Sequence, residues 1–74
     1  MKTGEKLKQH TKARGIKLYW LAEKMNITPQ ALYYKVNGAS PITIGDGLKI
    51  RHFCRMSDDE FRTVFGEEEW FNLV

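Results

Sequence analysis

The sequence predicts an all-α domain of five short helices, and three observations carry that expectation. Apolar residues recur at helix spacing, most plainly Leu18, Leu21, Ala22 and Met25 at i, i+3, i+4 and i+7. Start and stop signals alternate along the chain: Thr28-Pro29, Thr43 and Ser57 open segments, while Gly15, Asn26, Asn37-Gly38 and Gly66 close them. No stretch alternates apolar and polar residues for long enough to make a strand. A chain of 74 residues fits one domain with a modest core, and 42% hydrophobic content argues against wholesale disorder.

The first helix is expected over Gly4 to Arg14. Leu7 is its one strong apolar anchor, with His10, Thr11 and Arg14 at helical spacing, and Gly15 fits just past its end. The second runs from Lys17 to Met25 and carries Tyr19 and Trp20, the latter expected to be partly buried. Asn26 tolerates the left-handed conformation that ends helices, and Ile27 plugs the corner that follows.

The third helix has the clearest start. Thr28 can cap it, and Pro29 at the first helical position gives up no needed N–H. It reaches about Val36, where Asn37-Gly38 stops it, and residues 39–42 form a loop. Thr43 caps a fourth helix with Asp46 three residues on; Gly45 and Gly47 weaken its first turn, and Ile44, Leu48, Ile50 and Phe53 form its apolar side. The fifth is Ser57 to Phe65, where "SDDE" is a capping box and Phe61, Val64 and Phe65 give the buried stripe.

The tail, "EEEWFNLV" over residues 67–74, follows a domain drawn over residues 1–66. Its aromatics are expected to cover the core while the glutamates face water. A dimer contact and a self-inhibiting, DNA-mimicking acidic segment are the alternatives.

Charge is uneven along the chain. Residues 1–56 hold eleven Lys/Arg against three acids, a balance of +8, whereas residues 57–74 hold one arginine against six acids, a balance of −5. A basic body favours a polyanionic partner such as nucleic acid, and the acidic end argues against indiscriminate coating of it.

Other classes find little support. No nucleophile–base pair or phosphate-cradling glycine loop is present, so no enzyme is expected. One cysteine, Cys54, allows no internal disulfide, suits a reducing compartment and reads as a small buried hydrophobe. His10 and His52 lie far apart with no acidic ligand cluster, so neither a metal nor a cofactor is expected. The residues after Lys2 are polar and no apolar run approaches a membrane span, which points to the cytoplasm and away from membranes.

The chemistry concentrates in "NITPQALYYKVNG", residues 26–38. Two short helices joined by "MNIT" make a helix-turn-helix candidate: Ala22 allows close approach, Ile27 fills the turn and Leu32 faces back. At about 100° per residue, Leu32 and Val36 point inward while Gln30, Tyr34 and Asn37 point outward. Tyr33 lies on one flank, and Ala31 and Lys35 on the other. A face merely turned to water would carry Glu and Lys. This one is polar and aromatic, and suits a major groove, where glutamine can bond the adenine edge in two places. Tyrosine can pack on a thymine methyl or bond a phosphate.

Residues 4–65 resemble the Cro/C1-type (XRE-like) helix-turn-helix domain of phage and bacterial regulators. The resemblance rests on "GEKLKQHTKARGIKLYWLAEKMNITPQALYYKVNG" and the later "LKIRHF" and "SDDEFRTVF". "LAEKMNIT" is similar to the family's helix-turn segment, with Asn26 where glycine is usual. The resemblance implies a five-helix lambda-repressor-like fold whose third helix reads operator DNA, often as a dimer. It implies a sequence-specific regulator of double-stranded DNA, a repressor of phage or mobile-element origin, in the cytoplasm of a bacterial host.

Carried over by residue, the base-reading positions fall on Pro29, Gln30, Tyr33 and Tyr34. Pro29 departs from the pattern, because it cannot donate a hydrogen bond. Thr28 and Asn37 sit where the family touches phosphate or a flanking base, and Lys17 stands where a polar residue grips phosphate. Lys35, Lys49 and Arg51 complete the expected backbone contacts, whereas Lys6, Lys8, Lys12 and Lys24 read as solvated surface. A homodimer through the tail is a further expectation. The competing function is a protein-binding adaptor or antirepressor, presenting Trp20, Tyr33, Tyr34 and Trp70 as one apolar patch.

Overall fold

The computed structural model describes residues 2–74. Among them lie five α-helices, α1 (Thr3–Ala13), α2 (Leu18–Lys24), α3 (Pro29–Val36), α4 (Ile44–Cys54) and α5 (Asp58–Phe65), followed by a 3-10 turn at Glu69–Leu73. No strand occurs among the described residues, and none of their helices is long and apolar enough to cross a membrane.

The helix ends follow the local chemistry. Thr28, Thr43 and Ser57 each accept a hydrogen bond from a backbone N–H of the first turn they cap. At Thr43 and Ser57 the bond is returned, by Asp46 and Glu60 respectively, to complete two capping boxes. The α2–α3 turn closes as the residues dictate: Asn26 takes φ 60°, and the Ile27 N–H reaches the Ala22 carbonyl at 3.0 Å. One stop carries no sequence signal. Arg55 ends α4 with φ 53°, and the N–H of the buried Met56 then bonds the Arg51 carbonyl at 3.0 Å.

One core gathers under all five helices. Leu7, Leu21, Leu32, Ile50 and Phe65 are fully buried, with Ala22, Val36, Phe61 and Val64 around them. Two close approaches shape it. A Cβ on Gly4 would stand 1.8 Å from the Val36 carbonyl oxygen, so α1 crosses the end of α3 at a point where only glycine fits. A Cβ on Gly47 would stand 2.4 Å from the Trp70 ring, so the tail is seated on α4.

That second contact corrects the expected apolar side of α4. Leu48 is 45% exposed, and the buried positions are Gly47, Ile50 and Cys54. Trp70 fills the space over Gly47, so the face with least side chain turns inward and Leu48 is carried out. The indole Nε1 donates to the Ile42 carbonyl at 2.8 Å. Its ring lies 5.8 Å from Phe65 and 6.3 Å from Phe61, and Phe71 lies 5.5 Å from Phe61. Trp70 and Phe71 cover the core, while Leu73 and Val74 stay exposed.

Candidate nucleic-acid interface

The candidate surface is the outer side of α3. Leu32 and Val36 are buried and fix the helix in rotation, and the Thr28 hydroxyl fixes its start by accepting from the Ala31 N–H at 3.1 Å. Gln30, Tyr34 and Asn37 are therefore carried outward with Pro29 and Tyr33, and all five are exposed. Tyr33 is 44% and Tyr34 49% accessible.

The side chains on this face are organised. Gln30 Nε2 donates to the Tyr34 hydroxyl at 2.7 Å, across one helical turn. Asn37 Oδ1 accepts from Lys8 Nζ at 3.0 Å. Lys8 is exposed, as its reading as solvated surface expects, and it stands at the end of α3. The Gly4 crossing brings it there, since Lys8 lies one turn beyond Gly4 on α1. A cleft of about 450 Å³ opens beside it, lined among others by Lys2, Asn37 and Ser40 and by Glu5, Glu67 and Glu68.

The expected backbone contacts divide. Thr28 is used as the α3 cap. Lys17 is exposed at the start of α2. Lys49 is exposed and lines a groove with Lys24, Asn26 and His52 beside the α2–α3 turn. Lys35 is engaged: its ammonium bonds Asp46 at 2.8 Å and the Pro41 carbonyl at 3.2 Å, bracing the loop between α3 and α4. Arg51 pairs with Asp58 and lies over the Phe61 ring at 4.9 Å, so it belongs to the α4–α5 junction. Pro29, Gln30, Tyr33, Tyr34 and Asn37 thus share one surface, with Lys35 at its edge and Arg51 in a separate contact.

Several acids are paired rather than free. Residues 24–45 contain none. Asp46 is held by Lys35, Glu60 by Arg14 at 2.7 Å, and Glu67 by Lys6 at 2.7 Å. Glu68 accepts the Thr3 hydroxyl at 2.6 Å. Glu67 and Glu68, with Glu5, line the same cleft as Lys8 and Asn37, so the acidic end of the chain borders one end of the surface.

These pairings set a pH dependence. Burial raises the Asp46 carboxyl, but Lys35 and the Thr43 N–H and hydroxyl outweigh it and hold it below its ordinary value. The Ser57 N–H and hydroxyl, with Arg14, hold Glu60 down, and Lys6 holds Glu67 down. Burial lowers His10, as does Arg14, against the opposing pull of Glu60, and its Nε2 is buried without a partner. A lowered histidine contributes stability that is complete above about pH 6.5 and is lost as pH falls toward its folded value. The lowered carboxyls contribute above about pH 4 and lose it below. The urea midpoint is therefore expected to decline in two stages on acidification, and His10→Gln is expected to remove the first.

Burial also pushes the Cys54 thiol up to about 11, leaving it protonated and unreactive at neutral pH. No group of three or more His, Cys, Asp or Glu among the described residues is arranged to hold a metal ion.

No family model, curated protein or solved structure matches the chain. The surface presents an amide, two phenols and a second amide on a helix about 10–12 Å across, and a B-DNA major groove is about 12 Å wide.

Proposed function

We propose that the chain is a sequence-specific double-stranded DNA-binding regulator with a Cro/C1-like, lambda-repressor-like arrangement of its five helices. α3 enters the major groove with Gln30, Tyr33 and Tyr34 toward the base edges and Pro29 packed at the entry. Lys17, Lys49, Lys8 and Lys2 supply the phosphate contacts, and Asn37 reaches the backbone or a flanking base. The bound protein acts by occupancy, blocking or altering promoter use, as a phage or mobile-element repressor in a bacterial cytoplasm does.

One observation carries this function above others: Gln30, Tyr33 and Tyr34 stand exposed together on an acid-free helix whose opposite side is locked into the core. Phosphate contacts make binding weaken as salt rises, and the engaged Lys35 and Arg51 lower the number of contacts available. Two copies, joined through the exposed Leu73 and Val74, bind half-sites about 34 Å apart, one helical turn. The test is selection from random duplex DNA with the full chain at moderate salt. A reproducible motif is the expected result, and a two-fold symmetric one identifies a dimer.

A protein-binding adaptor or antirepressor is the second function in play, and it is favoured by Tyr19 and Trp20. Both are exposed on α2, and Lys24 lies 5.7 Å over the Trp20 ring. If selection yields no motif, that aromatic surface becomes the place to look for a partner.

A further inference from the structure

We propose that Tyr34 is a positioning residue for Gln30: its hydroxyl holds the glutamine side chain in a rotamer whose amide can read adenine, so the two residues read a single A·T base pair as a unit. This rests on the DNA-binding function above and goes beyond it, since Tyr34 there reads DNA independently.

The geometry is specific. Residues 30 and 34 are one turn apart on α3, and helical side chains lean toward the N-terminus, so Tyr34 lies back over Gln30. The tyrosine hydroxyl accepts one of the two Nε2 protons at 2.7 Å. The other proton and the Oε1 lone pairs remain available. Adenine offers an acceptor at N7 and a donor at N6 in the major groove, which are the partners of that free N–H and that oxygen. Guanine offers two acceptors, N7 and O6, so Oε1 would face O6 with no proton between them.

An unheld glutamine could rotate its amide to suit other bases, and it would lose rotamer freedom on binding. The Tyr34 bond restricts that rotamer freedom in advance, which is preorganisation. The support beneath it is firm: the Tyr34 carbonyl accepts from the Ala39 and Ser40 N–H groups, at 2.8 and 3.2 Å, and Leu32 and Val36 are buried.

Tyr34→Phe removes the hydroxyl and keeps the ring. The experiment selects duplexes with wild type, Gln30→Ala and Tyr34→Phe. It then measures affinity for the wild-type duplex carrying each base pair, or 7-deazaadenine, at the position that Gln30→Ala relaxes. The expected result is adenine at that position in the wild type. Tyr34→Phe lowers the preference for adenine about five- to tenfold, at that position only, with the salt slope unchanged. With 7-deazaadenine, which lacks the N7 acceptor, Tyr34→Phe has less additional effect, because the N–H that the Tyr34 bond positions then has no N7 to meet. The Gln30 side-chain amide resonances of the free protein shift in Tyr34→Phe.

A motif in which Tyr34→Phe relaxes a different base pair, or none, overturns the positioning role and leaves DNA binding standing. So does a base other than adenine opposite Gln30. The absence of any motif overturns both.

Discussion

Gly4→Ala is expected to destabilise the domain by about 3 kcal/mol, at the upper end of ordinary overpacking. The added methyl would stand 1.8 Å from the Val36 carbonyl oxygen and 2.7 Å from its carbonyl carbon. Those are backbone atoms, so no rotamer change relieves the contact; α1 must move away from α3. The cost is large for a small domain, whose whole stability is on the order of 4–11 kcal/mol. Gly15→Ala is the control. Gly15 has φ +69° and nothing within 4 Å, so its cost is one of backbone conformation, about 1–2 kcal/mol. Urea midpoints of the two variants separate the effects. Equal losses would show that the α1–α3 crossing does not need a bare backbone. Because the crossing also delivers Lys8 to Asn37, the proposed function has Gly4→Ala weaken DNA binding even at temperatures where it remains folded.

Trp70→Ala carries the second large expected effect, also about 3 kcal/mol. The indole sits on Gly47, lies beside Phe61 and Phe65, and its N–H satisfies the Ile42 carbonyl. Removing it opens the core edge. A chain ending at Gly66 should lose at least as much, because Phe71 and the Glu67–Lys6 and Glu68–Thr3 contacts go as well. Thermal melts at two protein concentrations provide the measurement. Unchanged melting of Trp70→Ala at low concentration, with a loss only at high concentration, would make the tail an association device and not part of the domain.

What was legible in the sequence, and what was not, follows from the range of each interaction. Caps are local. Thr28, Thr43 and Ser57 bond groups three residues away, so the starts of three helices could be located from composition alone. The inward positions of α3 were equally legible, since one apolar anchor, Leu32, sets the rotation of the remaining residues.

The long-range contacts were not legible. Gly47 looks like a weak point in a helix until Trp70, 23 positions later, is seated on it, and the same contact expels Leu48. Gly4 meets Val36 from 32 positions away, and nothing near Lys8 in the chain announces Asn37. Arg51 offered a free cation by position, yet Asp58, in the next helix, takes it. Arg55 supplies a left-handed stop that a reader expects from glycine. Within the candidate interface, the exposed set was readable from periodicity, but the bond joining Gln30 to Tyr34 depends on rotamers and was not.

The central claim is that the outer side of α3 reads base sequence. The most direct measurement is the affinity of wild type and Gln30→Ala for the duplex that wild type selects, against a scrambled duplex, at matched salt. Gln30 is exposed, so the variant keeps its fold, which circular dichroism verifies. Wild type is expected to prefer its selected duplex. Gln30→Ala is expected to lose about 1–3 kcal/mol of that preference at one base pair, with its binding to the scrambled duplex unchanged. Equal affinity of the wild type for both duplexes, or a Gln30→Ala variant with undiminished preference, would contradict the central claim.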